Sequence, residues 1–260
     1  MTPKGTFTMA SDDPYRYVLE GRFEKALEAF DTPASIAFYG VGQRGRLLNK
    51  GMTLLALNRI LEAVDVFIQA ETVYREPVSS RSPRSELGGA FWLCGREREA
   101  LGIWREDVDA LLQGQMDYAD ASGGGGCGLL LLFAATRLKS SSDREKARQL
   151  FKKILKSKRA VTWPGPLISC LENPVLEHEV LKNRFGTNNV SELSKKLTMK
   201  GFERRERTEA MFYLAIAKEI IGNTVGSAQL IADACAIPNP LSSIEWYIAR
   251  SEVQQGASKK

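Results

Sequence analysis

Histidine is nearly absent from this chain: His178 is the only one in 260 residues. The segment "LEHEVL" around it lacks the second histidine of a metalloprotease helix. One imidazole flanked by Glu177 and Glu179 does not make a metal site, nor does it define a Ser or Cys triad. Cysteine is sparse as well. Cys94, Cys127, Cys170 and Cys235 stand far apart with no C-x-x-C pair, which fits reduced, mostly buried thiols better than a disulfide or zinc framework. Long apolar runs are missing: a stretch such as Leu129 to Ala135 is far short of the roughly 20 residues that span a bilayer, so no membrane association is expected. The opening "MTPKGTFTMASDDP" has no signal-peptide core, and a cytoplasmic location with a tail over residues 1–14 is the expectation. Charge of one sign is scarce too. The net +5 is a small excess of 36 basic over 31 acidic residues. The signs are mixed along most of the chain, which argues against nucleic acid as a partner.

What is present is a spacing. Aligning "EGRFEKALEAFD", "LNRILEAVDVFI" and "CGREREALGIWR" sets Ala26, Ala63 and Ala100 at a constant interval. Phe30, Phe67 and Trp104 fall at the same interval, as do Gly21, Asn58 and Gly95, with Gly51 and Gly88 upstream. The columns describe a helical hairpin. Gly or Asn ends the first helix in a left-handed cap, a small Ala lets the helices approach, and an aromatic is expected to wedge into the neighbouring hairpin. A fourth copy fits if the register slips, with Asp143 as a candidate N-cap and Ala147 and Phe151 in the second helix. After residue 160, Pro164, Pro166 and Pro174 punctuate shorter helices. "TEAMFYLAIAKEIIGNTVGSAQLIADACAIPNP" then recovers a hairpin, and "LSSIEWYIARSEV" reads as a closing helix.

The pattern resembles the tetratricopeptide repeat, best in Gly51, Leu54, Asn58, Ile60, Ala63, Phe67 and Ala70. In the third copy Asp107 stands where the last small residue belongs. The resemblance implies an all-α protein of antiparallel hairpins stacked as a TPR-like right-handed α-solenoid. Repeats are expected over residues 15–159, divergent repeats and the closing helix over 160–253, and a tail over 254–260. It also implies a concave face lined by first-helix residues: Leu48, Met52 and Leu55 in one copy, Ser85, Gly89 and Trp92 in the next. Of these, Met52, Trp92 and Ser85 are candidate partner-binding residues, while Leu48, Leu55 and Trp92 equally suit a core between helices.

In the stretch "QMDYADASGGGGCGLLLLFAATRL", Gln115 to Gly128 read as an insertion between the third and fourth copies. Consecutive glycines before a helix can bind an anion, but no Lys-Ser/Thr follows Gly123 to Gly126 and no strand precedes them. No nucleotide or other cofactor is expected. Asp117 and Asp120 flank Tyr118, an acid-framed aromatic of the kind found at protein contacts, so the insertion reads as a contact loop or as a flexible spacer. "KKILKSKR" is the densest basic run, and it reads as a solvated helix face or a docking patch. No catalytic set is apparent. The middle of the chain is also similar to tetratricopeptide-like immunity proteins of bacterial polymorphic toxin systems. That resemblance implies a non-catalytic module that binds and neutralises a cognate toxin, with a TPR-type adaptor or chaperone as the alternative.

Overall fold

The computed structural model describes residues 13–32, 42–73, 84–116, 124–186, 201–238 and 243–258. The described residues form thirteen α-helices and two short 3-10 turns, with no strand among them. The chain divides into two compact units, Met1–Tyr74 and Arg75–Lys260, a division that falls inside the stretch expected to be one repeat array. The first unit holds α1 (Pro14–Leu19), α2 (Phe23–Phe30), α3 (Gly42–Ala56) and α4 (Ile60–Val73). The second holds α5 (Arg84–Leu93), α6 (Glu97–Gln113), α7 (Gly125–Arg137), α8 (Ser141–Leu155), α9 (Gly165–Glu172) and α10 (Glu177–Phe185). It ends with α11 (Gly201–Ile220), α12 (Thr224–Ala236) and α13 (Ile244–Ser258). No helix among the described residues is long and apolar enough to cross a membrane.

Five helix pairs close with the same turn. Gly21, Asn58, Gly95, Lys139 and Gly222 take the left-handed conformation, with φ of 71°, 59°, 81°, 56° and 83°. In each turn the next residue's N–H returns to the carbonyl five positions back. The pairs are Arg22 to Tyr17, Arg59 to Leu54, Arg96 to Phe91, Ser140 to Ala135 and Asn223 to Lys218, all at 2.8 or 2.9 Å. This bond satisfies a helix-end carbonyl that would otherwise be orphaned.

The alanine and aromatic columns are buried without remainder: Ala26, Ala63, Ala100 and Ala147, and Phe30, Phe67, Trp104 and Phe151. Three of these rings, Phe67, Trp104 and Phe151, pack on a glycine in the first helix of their own hairpin. A methyl group added to Gly51 would overlap Phe67; one on Gly88 would lie 2.6 Å from Trp104, and one on Gly128 2.8 Å from Phe151. Absence of a side chain lets the ring reach the helix backbone.

The glycine run ends as a helix start. Gly124 is the left-handed N-cap of α7, and a methyl on Gly125 would sit 2.9 Å from Pro164. Every residue from Leu129 to Ala135 is buried, so α7 is the central helix of the second unit, packed by α5, α6, α8, α9 and α11. The closing helix does more than cover an end. α13 packs on α12 and α11 and also on α5, the first helix of the unit, and it continues to Ser258, past the start of the expected tail at residue 254.

Candidate functional site

The polar interior of the second unit is its most chemically distinctive region. Arg205, Glu209 and Tyr213 follow one another at four-residue intervals on α11, so one stripe of the helix carries a cation, a carboxylate and a phenol. Glu209 accepts from Arg205 Nε at 2.6 Å and from Trp163 Nε1 at 2.5 Å. One turn on, Tyr213 donates its hydroxyl to Glu245 Oε1 at 2.8 Å, and Ser243 donates to Oε2 at 3.0 Å. Glu245 lies in the first turn of α13, where the helix N-terminus favours a carboxylate.

Burial nevertheless opposes its charge. Loss of water pushes the Glu245 carboxyl up to about 7, the nearby Glu209 adds to the rise, and Arg205 counters it. The Tyr213 phenol is raised well above its ordinary value, first by burial and then by Glu245. Glu245 and Glu86 both help to keep Arg205 charged, after the larger effect of Glu209. The Glu245 carboxyl is therefore a place where a proton can be held or released near neutral pH.

A second cluster lies at the start of α5. Arg84 donates to Asp107 at 2.6 Å and to Glu106 at 2.6 Å, which explains the acid standing in a column of small residues. The Asp107 carboxylate is also 3.9 Å from Cys127 Sγ, and that sulfur is 3.4 Å from Ser85 Oγ. A third pairing binds Arg105 of α6 to Asp143 of α8 through two bonds of 2.7 and 2.8 Å. Here the N-cap is Ser140, not Asp143: Ser140 Oγ accepts from the Asp143 N–H and donates to its carboxylate at 2.6 Å. Asp143 is thus the reciprocal partner of a capping pair.

Trp92 is half-buried in a chain of rings, with Phe133 at 4.6 Å and Trp104 at 6.3 Å. Phe133 continues to Phe212 at 5.1 Å. Ser85 is tied to Cys127 through its hydroxyl and to Trp104 Nε1 through its carbonyl at 3.3 Å. These two candidates come together around Trp104, on the side of α5 that packs inside the unit. Met52 is buried within the first unit. Asp117, Tyr118 and Asp120 lie outside the described residues. His178 is exposed on α10, and the four cysteines are free thiols, with Cys170 pushed up to about 12 by burial. Compared with known proteins, the chain matches no family model, no curated protein and no solved structure.

The residues that sequence reasoning missed are Arg205, Glu209, Tyr213 and Glu245. "RRERTEAMFY" does contain the four-residue spacing, but a charged stripe of that kind ordinarily marks a solvated face. Only the packing of α13 and Trp163 over it makes it an interior.

Proposed function

We propose that the protein is a non-catalytic binding module of TPR-like stacked hairpins that engages a protein partner, with a cognate bacterial toxin domain as the partner the sequence resemblance favours. The observation that carries this reading is the reuse of one turn in five helix pairs and of one glycine–aromatic contact in three of them. Construction by repetition extends surface with little new design, and an extended surface suits a macromolecular partner. The buried acids support the same reading. Asp107, Asp143, Glu209 and Glu245 are each bonded to groups of the protein itself, an arrangement that fixes helices to one another.

The insertion residues Asp117, Tyr118 and Asp120 are the proposed contacts. The test is coexpression with the protein encoded beside this one. The neighbour should arrest growth alone, grow normally with this chain, and form a complex measurable by calorimetry. Replacing the three contacts together by alanine should weaken that complex at least tenfold, about 1.4 kcal/mol, with an unchanged melting temperature. A harmless neighbour that forms no complex would overturn the toxin reading. Binding of extended peptides would favour the adaptor or chaperone.

A further inference from the structure

The last helix lies on the side of α5 where the sequence placed a groove. Ile244 of α13 sits so close over Gly89 that a methyl group there would overlap it, so the slot is shaped to its occupant. Seating Ile244 has a consequence for its neighbour. Glu245 is the next residue, and docking the apolar knob carries the carboxylate into the interior beside Glu209. Its side-chain partners there, Tyr213 and Ser243, are neutral hydroxyls, its own backbone N–H favours the anion by less than burial opposes it, and the cation acting on it, Arg205, is already bonded to Glu209. At its far end α13 is held from α7, where Arg137 donates to Glu252 at 2.8 and 2.7 Å.

We propose that α13 is a releasable strap over the face of α5 at Gly89, and that the charge on the buried Glu245 carboxylate, set beside Glu209, decides whether it stays docked. The groups that set this charge come from each packed element. α11 supplies Arg205, Glu209 and Tyr213; Glu86 of α5 acts on Arg205; Cys127 of α7 acts on Tyr213. Because burial raises Glu245 to about 7, docking favours the protonated acid and release favours the anion. The strap therefore holds best below about pH 4.5 and loosens as pH climbs from there to about 7. Release uncovers the slot at Gly89 and the Tyr213 hydroxyl. This holds whichever partner the protein binds.

Hydrogen exchange on the full chain tests it, with rates corrected for the intrinsic effect of pH. Between pH 5.5 and 8.5 the opening of residues 244–256 should increase about thirtyfold, the ratio expected for an acid near 7 when docked and near 4.5 when free. Exchange in α8 should stay constant over the same range. Glu245→Gln should flatten the response, and Glu209→Gln should narrow it, since Arg205 is then free to neutralise Glu245. A pH-independent wild-type α13, or an E245Q protein that loosens as the wild type does, overturns the proposal. If circular dichroism shows that E245Q does not fold, E209Q decides: an undiminished response overturns it.

Discussion

Asp143 and Glu245 are both almost wholly buried, yet their surroundings give them opposite dependence on pH. Two bonds from the Arg105 guanidinium, and then the Ser140 hydroxyl, hold the Asp143 carboxyl below the usual aspartate range. A lowered folded value means that its stabilisation is present above about pH 4 and is lost as pH falls through the folded value. Asp143→Ala should therefore cost about 1–2 kcal/mol in urea unfolding at pH 7, allowing for the exposure of Arg105, and the cost should shrink as pH falls below about 4. Glu245 behaves in reverse. Its folded value is raised, so its contribution is fully present below about pH 4.5 and is lost as pH rises to about 7. Glu245→Gln keeps the hydroxyl contacts without the charge and should stabilise the second unit at pH 8 by up to about 3 kcal/mol, with little gain at pH 4.5. Neither sign can be read from sequence, because both depend on which side chain a distant helix brings into contact.

At the level of helices, the turn positions were legible because they are local. A left-handed residue, a returning N–H and a buried Ala lie within ten positions of one another, and Gly21, Asn58 and Gly95 show each in its column. The partner of the aromatic was not legible in the same way. Periodicity says that Trp104 points inward but not which helix it meets, and Gly88 proves to be the reason it can meet its own. Two substitutions in one hairpin separate these roles. Gly88→Ala drives a methyl against the indole and should destabilise by about 1–3 kcal/mol. Gly102→Ala, in the middle of α6 with open space around it, should instead stabilise by about 0.5–1 kcal/mol from helix propensity alone. Equal effects in urea unfolding would mean that the glycines serve flexibility and not the close approach of the ring. The turn between α7 and α8 gives a third reading: Lys139 bears a side chain at φ 56°, so Lys139→Gly should raise stability by about 1 kcal/mol.

For the molecule, the consequential contact is the one no local pattern announces. An open helical array gains stability from neighbours along the sequence, and losing its last helix frays only the adjacent repeat. The second unit is built otherwise, because α13 reaches back to α5. The tie runs through Ile244 on Gly89, and Tyr213 and Arg137 hold the same helix from α11 and α7. The segment "LSSIEWYIARSEV" reads as a closing helix but does not reveal its docking site, since the partners are separated by more than a hundred residues and the signal is a glycine on one side and an isoleucine on the other. A protein ending at residue 242 distinguishes the two architectures. Loss of α13 should speed hydrogen exchange in α5 as well as in α12, and should lower the helical signal by more than the fifteen residues of α13 account for. If only α12 loosened while α5 kept its protection, the unit would be an open stack, and the contact at Gly89 would contribute packing without closing the fold.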